Sequence, residues 1–131
     1  MKKVFLGGTA NLSTWRDIIM PKLKIDYFNP VVPEWNDAAY QRELHERATC
    51  DFCLYVLTPK LKGVYSIAEV IDDSNKRPEK TIFCIYQNDE GLQFSPDQYE
   101  SMKFVGELVE KNGGIWLKSL DEVVDYLNSF A

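Results

Sequence analysis

Glu69 stands among small and apolar neighbours in the stretch CDFCLYVLTPKLKGVYSIAEVIDDS, residues 50–74. A carboxylate in such company either closes a helix end or does chemistry. Ser66, three residues earlier, completes the S-x-x-E pattern of a capping box, in which the serine oxygen accepts from a first-turn amide and the glutamate reaches back to the cap amide. In the other reading, the positive end of the helix dipole keeps a first-turn carboxylate ionised at neutral pH, and an ionised, positioned carboxylate is a nucleophile for an anomeric carbon. Glycosyl transfer then needs a second carboxyl to manage the proton of the leaving group. Glu43, on the preceding helix beside His45 and Glu46, is the candidate, although a solvated charged face would use the same residues. Ser66, Glu69 and Asp73 share one helical face, with Ile67, Val70 and Ile71 forming the core-facing side.

A second polar cluster lies near the start of the chain, in GGTANLSTWR, residues 7–16. Gly7 and Gly8 permit close backbone approach, while Thr9, Asn11 and the Arg16 guanidinium, ahead of a helix N-terminus, suit a phosphate or a ribose hydroxyl. The stretch matches neither a Walker nor a dinucleotide-binding fingerprint. Asn29, between Phe28 and Pro30, is placed to bond a sugar or base, or simply to make a turn. Trp35 and Tyr65 offer either stacking faces or packing surface. Cys50 and Cys53 form a C-x-x-C, but with one histidine, His45, and no second ligand pair nearby, buried apolar cysteines account for them better than zinc or redox chemistry. No metal or tightly held cofactor is called for.

The elements that must position these groups follow from periodicity and punctuation. Residues 2–6 (KKVFL) read as a buried strand stopping at Gly7-Gly8, and Ser13 or Thr14 caps a helix carrying Trp15, Ile18, Ile19 and Leu23, with Pro21 distorting its last turn. A brief strand at 25–28 ends at Asn29-Pro30, an extended loop covers 30–35, and Asn36 or Asp37 opens a helix through Ala48. Residues 52–57 (FCLYVL) lack polar alternation, as a central strand covered on both faces does. A loop at 58–63, a helix from Tyr65 to about Ser74, a strand at 81–86 and a polar loop through Phe94 come next. Ser95-Pro96 then starts a helix to Lys111, Gly113-Gly114 ends it, residues 115–117 make a last strand, and Ser119 caps a terminal helix.

Strands alternating with helices predict right-handed crossovers onto a parallel sheet: an α/β, three-layer, doubly wound fold with five strands, of the flavodoxin or Rossmann kind. Ligands of such sheets bind above the carboxyl ends of the strands, which directs attention to the loops after the first three. The chain has 131 residues, suited to one domain spanning 1–131, with 45% hydrophobic and 27% charged residues. A net charge of −5 with scattered basic residues argues against a nucleic-acid polymer as partner, though a small basic pocket could hold one phosphate. Three cysteines and no charged leader followed by an apolar stretch predict neither a disulfide framework nor secretion, so a cytoplasmic protein without a membrane partner is expected.

KVFLGGTANLSTWR, YFNPVVPEW and CDFCLYVLTPKLKGVYSIAEV together resemble the nucleoside 2-deoxyribosyltransferase-like family, which includes deoxynucleoside monophosphate N-glycosidases; the likeness covers about residues 2–85. It implies that a glutamate on the helix after the central strand, here Glu69, attacks C1′ of the sugar, expels the base and forms a glycosyl ester that a second base or water resolves. It implies further that Glu43 stands where the family places an aspartate handling the base's proton, and that Asp51 matches the acidic residue opening the central strand. Six residues before the nucleophile, where the transferases carry a sugar-holding aspartate and the nucleotide N-glycosidases a small hydroxyl residue, this chain has Gly63. With Lys60, Lys62 and Arg16 close by, the departure points to a nucleotide rather than a free nucleoside, or to a binder without turnover. The implied site therefore comprises Glu69 and Glu43 for catalysis, with Gly7, Gly8, Thr9, Arg16, Asn29, Asp51, Gly63, Tyr65 and Ser66 around a small-molecule nucleoside or nucleotide, in a homo-oligomer whose neighbour completes each pocket. The same segments are also similar to the TIR-domain fold, which implies NAD as substrate or a signalling interaction, again with Glu69 at the scissile bond.

Overall fold

The computed structural model describes residues 1–10 and 12–131; Asn11, part of the polar loop named above, lies outside the described residues. The order is β1 (Lys3–Gly8), α1 (Trp15–Ile19), β2 (Asp26–Phe28), α2 (Asp37–Thr49), β3 (Phe52–Leu57), α3 (Tyr65–Lys76), β4 (Thr81–Ile85), β5 (Asn88–Asp89), β6 (Leu92–Gln93), α4 (Pro96–Lys111), β7 (Ile115–Leu117) and α5 (Leu120–Asn128). Five of the strands form one all-parallel sheet in the order β2-β1-β3-β4-β7, the flavodoxin-like arrangement.

Side-chain alternation along the strands splits the core in two. Val4, Leu6, Leu54, Val56, Ile82 and Cys84 point to the layer formed by Trp15 and Ile19 of α1 and Leu120, Val123 and Leu127 of α5. Phe5, Cys53, Tyr55, Leu57, Phe83 and Ile85 point to the other, against Val70 of α3 and Met102 and Val109 of α4. Every residue of β3 is buried, as its unbroken apolar run requires. Asn36 caps α2 by accepting from the Ala39 amide at 2.8 Å, and Ser95 and Gln98 form a complete capping box on α4. Pro21 converts the end of the first helix into a single 3₁₀ turn, Met20–Lys22.

Two local expectations are corrected. The first strand does not stop at the glycines but runs through them, pairing Gly7 with Tyr55 and Gly8 with Val56. Gly8 has φ 110°, and a Cβ there would lie 2.1 Å from the Val56 carbonyl oxygen, so the backbone of β3 fills the space a side chain needs. The polar loop after β4 contains a small antiparallel hairpin, β5–β6, turning at Glu90 (φ 54°) and Gly91 (φ 87°). Two consecutive positive φ values match a tight primed turn, and strands of two residues are too short to show periodicity. No helix among the described residues is long and apolar enough to cross a membrane.

Candidate functional site

A cleft of about 340 Å³ opens above the carboxyl ends of β1 and β3, where the strand order reverses. Its floor is Gly7, Gly8 and Thr9 at the end of β1; one wall is the loop carrying Pro30, Val31, Val32 and Trp35; the other is Gly63, Tyr65, Ser66 and Glu69 at the start of α3, with Glu43 reaching in from α2. Carboxylates from two helices are thereby brought together in one small, largely apolar space. Of the residues singled out in the sequence, the cleft unites Glu69, Glu43, Gly7, Gly8, Thr9, Arg16, Gly63, Tyr65 and Ser66.

Two others lie elsewhere. Asn29 is outside the lining and uses its Oδ1 to accept from the Val31 amide at 3.1 Å, fixing the turn that precedes the wall. Asp51 stands before the first residue of β3, at the amino end of the strand, where its Oδ2 accepts from the Lys3 amide at 2.9 Å. A strand of six residues separates it from the cleft.

The capping-box expectation for Ser66 and Glu69 is also corrected. Helix α3 begins at Tyr65 after Val64, with no side-chain cap, so Ser66 is its second residue and Glu69 its fifth. Glu69 lies two residues beyond the position from which a glutamate reaches back to the cap amide, and past the first turn, where the helix dipole would hold it ionised. Burial sets its protonation instead. Glu69 is 7% exposed, and burial, reinforced by hydrogen bonding and charge from the adjoining Glu43 carboxyl, raises its pKa from 4.5 to about 9; Arg47 pulls the other way and loses. Glu69 therefore carries a proton at neutral pH. Its Oε2 is buried and has no hydrogen-bond partner among the described residues. A buried carboxyl oxygen left without a hydrogen bond is costly and marks a group kept for something other than stability.

The amphipathic picture of α3 changes with it. Glu69 and Asp73 are buried along with Val70, because α2 covers that flank with charge rather than hydrocarbon: the buried residues of α2 are Glu43, Glu46 and Arg47, and Leu44 is exposed. Arg47 donates through Nε to Asp73 Oδ2 at 3.2 Å and through Nη2 to Asp73 Oδ1 at 3.1 Å, while its Nη1 lies 3.5 Å from Glu69 Oε2. Asp73, fully buried, also accepts from the Tyr55 phenol and from Arg77 Nη2 at 2.7 Å. Burial alone would raise the Asp73 carboxyl, but hydrogen bonds from Arg47, Tyr55 and Arg77 outweigh it and hold it below its ordinary value. Burial would likewise lower the Arg47 pKa, but hydrogen bonding to Asp73 and the charges of Tyr55, Asp73 and Glu69 raise it instead. Sequence reasoning missed Arg47. The signal available was a matched pair of i, i+4 spacings, Glu43–Arg47 on one helix and Glu69–Asp73 on the next.

Other polar groups of the cleft act mainly as scaffold. Arg16, buried beside Trp15, donates to the carbonyls of Leu6 (3.0 Å), Thr9 (2.7 Å) and Gly8 (3.3 Å), using three of the five N–H groups a guanidinium has. Burial lowers its pKa to about 10, partly offset by the charges of Glu43 and Asp17, so it remains a cation in the cleft wall at neutral pH. Thr9 ties the floor together, its Oγ1 accepting from the Thr58 amide at 3.0 Å and its amide donating to Val56 O at 2.9 Å. Trp35 and Tyr65 are more than half exposed at the rim, and Trp35 meets Tyr40 edge-on at 6.2 Å. Gly63 has open space around it: an added Cβ meets nothing within 4 Å. Lys60 is engaged by the hairpin, with its Nζ 2.5 Å from Glu90 Oε1. Burial pushes the Cys50 and Cys53 thiols up to about 11 and about 12, leaving both as unreactive packing groups. Among the described residues, no group of three or more histidine, cysteine or acidic side chains is arranged to hold a metal ion. The chain matches no family model and no curated protein.

Proposed function

We propose that the protein acts on the N-glycosidic bond of a nucleoside or nucleoside 5′-monophosphate, with Glu69 attacking the anomeric carbon. One observation carries the reading: Glu43 and Glu69, from different helices, line a single cleft at the switch point of the sheet, and Glu69 Oε2 is left without a hydrogen-bond partner there. Paired carboxyls with one shared proton are the equipment such a displacement needs. As the Glu69 oxygen bonds to C1′, the C1′–N bond breaks and its electron pair goes to the base nitrogen, which takes the proton from Glu43. A glycosyl ester on Glu69 results, with Glu43 ionised. Water or a second base then attacks C1′, releases the Glu69 carboxylate, and gives its proton to Glu43.

Other features support a sugar carrying a flat base. The aromatic faces of Trp35 and Tyr65 stand at the rim, and Val31 and Val32 line the wall between. The Arg16 cation, the glycine floor and the uncapped start of α3 suit a 5′-phosphate, and the space around Gly63 leaves room for it. Exposed Val64 and Tyr65 beside the opening favour a second copy of the chain closing the cleft. The resemblance to the nucleoside 2-deoxyribosyltransferase-like family proposes the same chemistry from the sequence side. Incubating the protein with deoxynucleosides, deoxynucleoside monophosphates and NAD, and following free base by chromatography, tests the reading. Base from a deoxynucleoside or its monophosphate supports it, nicotinamide release from NAD alone moves the assignment to the TIR-like alternative, and no release from any of them overturns the enzyme.

A further inference from the structure

We propose that Arg47 is the positioning residue for Glu69, aiming its carboxyl and receiving it as an anion when its proton moves to Glu43. The inference rests on Glu69 being the nucleophile, and it adds a group that neither the sequence motifs nor the resemblance points to. Arg47 is 4% exposed and cannot swing: Nε and Nη2 grip the two oxygens of Asp73, and Nη2 also reaches Asp72 Oδ2 at 3.2 Å. Asp73 is itself held by the Tyr55 phenol from β3 and by Arg77 one turn along α3. A planar guanidinium fixed on one edge has the direction of its remaining edge fixed too. That edge presents Nη1 to Glu69 Oε2.

The 3.5 Å separation is informative. A charge-assisted N–H···O bond closes at about 2.7–2.9 Å. The contact is therefore poised rather than made, as befits a carboxyl that holds its proton. A shift of less than about 1 Å would complete it once Glu69 is an anion. The groups that act on Glu69 are Glu43 and Arg47 from α2 and Asp73 and Tyr65 on its own helix; Tyr55 of β3 acts through Asp73 and Arg47, and Arg16 of α1 through Glu43. The charge of Asp73 is already met by Arg77 and Tyr55 as well as by Arg47, so Arg47 is the cation left to serve Glu69.

The alternative is that Arg47 merely staples α2 to α3. The two are separated by titrating the Glu69 side-chain carboxyl by ¹³C NMR in the full chain, with resonances assigned through E69Q and E43Q. Positioning by Arg47 predicts opposite signs in two variants: R47Q raises the Glu69 midpoint by about one pH unit or more, and D73N, which removes the Asp73 charge and also frees the guanidinium to turn to Glu69, lowers it, by more with Arg47 present than in the R47Q background. Either variant suffices provided its near-ultraviolet circular dichroism is native. A folded R47Q or D73N whose Glu69 midpoint matches wild type overturns the proposal. In turnover assays R47Q lowers kcat on the order of 10²-fold with KM nearly unchanged, and R47K restores part of the loss. If wild type releases no base from any substrate, the enzyme reading fails, while the NMR titration still decides whether Arg47 controls Glu69.

Discussion

Arg47 Nη1 stands 3.5 Å from Glu69 Oε2, a cation beside a carboxyl that nonetheless holds its proton. Burial is the main reason the carboxyl keeps its proton, Glu43 adds to it from the other side, and Arg47, held at this distance by its grip on Asp73, does not offset them. Stability is given up at this point in the molecule, and the consequence is measurable.

The folded Glu69 carboxyl binds its proton more tightly than the unfolded one, with a pKa raised from 4.5 to about 9. Between those values the native state holds a proton that the unfolded chain has released, so this group's contribution to stability falls as pH rises across the window, by up to about 1.4 kcal/mol per pH unit. E69Q removes the penalty. Thermal melts should show E69Q more stable than wild type at pH 8, by about 1–3 kcal/mol, with the gap narrowing towards pH 5. A variant less stable than wild type at both pH values would show Glu69 to be a structural group.

The proton on Glu69 also bears on the rate. Turnover needs one proton on the pair, so kcat/KM should pass through a maximum and decline as pH rises through the range where the pair loses it. E43Q, which cannot give a proton to the base, should lower kcat by about 10²–10⁴-fold and lose the alkaline decline. Stopped assays of base release across pH check both outcomes.

Much of this frame was legible in the residues. FCLYVL gave the central strand, Asn36, Ser95 and Ser119 gave three helix starts, and the alternation of elements gave the sheet. Glu43 and Glu69 were each legible as candidates, but their meeting in one cleft was not, since it depends on how α2 packs on α3. The protonation of Glu69 was not legible, since it depends on burial by a helix whose inward face is charged, and helical periodicity looks for hydrocarbon. Arg47 was hidden for the same reason. Asp51 shows the reverse error: a matching position in sequence, but at the amino end of β3, remote from the cleft.

Tyr55 is covered on all sides and gives its phenol proton to Asp73. Y55F leaves the ring in place but takes a donor from a buried carboxylate, which should cost about 1–3 kcal/mol in denaturant unfolding. An unchanged midpoint would show that Arg47 and Arg77 hold Asp73 by themselves.

Two glycines of the cleft should respond differently. G8A forces a side chain at φ 110° into the backbone of Val56 and is expected to destabilise by well over 1 kcal/mol. G63A meets open space and should stay within about 0.5 kcal/mol of wild type. Equal losses in chemical denaturation would contradict the account of the cleft floor.

Trp35 is 58% exposed and touches Tyr40 by its edge, so W35A should leave stability within about 0.5 kcal/mol of wild type. If its face stacks on a base, the same change raises KM about 10–100-fold, the equivalent of about 1–3 kcal/mol of stacking. A KM that does not move would remove Trp35 from the ligand site.

Glu69 as nucleophile is tested most directly by acid-quenching the enzyme during turnover and mapping its peptides by mass spectrometry. The account predicts a sugar ester on the peptide carrying Glu69, absent from E69Q and increased when the second step is slowed by withholding an acceptor base. Base release by the wild type without any such adduct, and with E69Q still active, would contradict it.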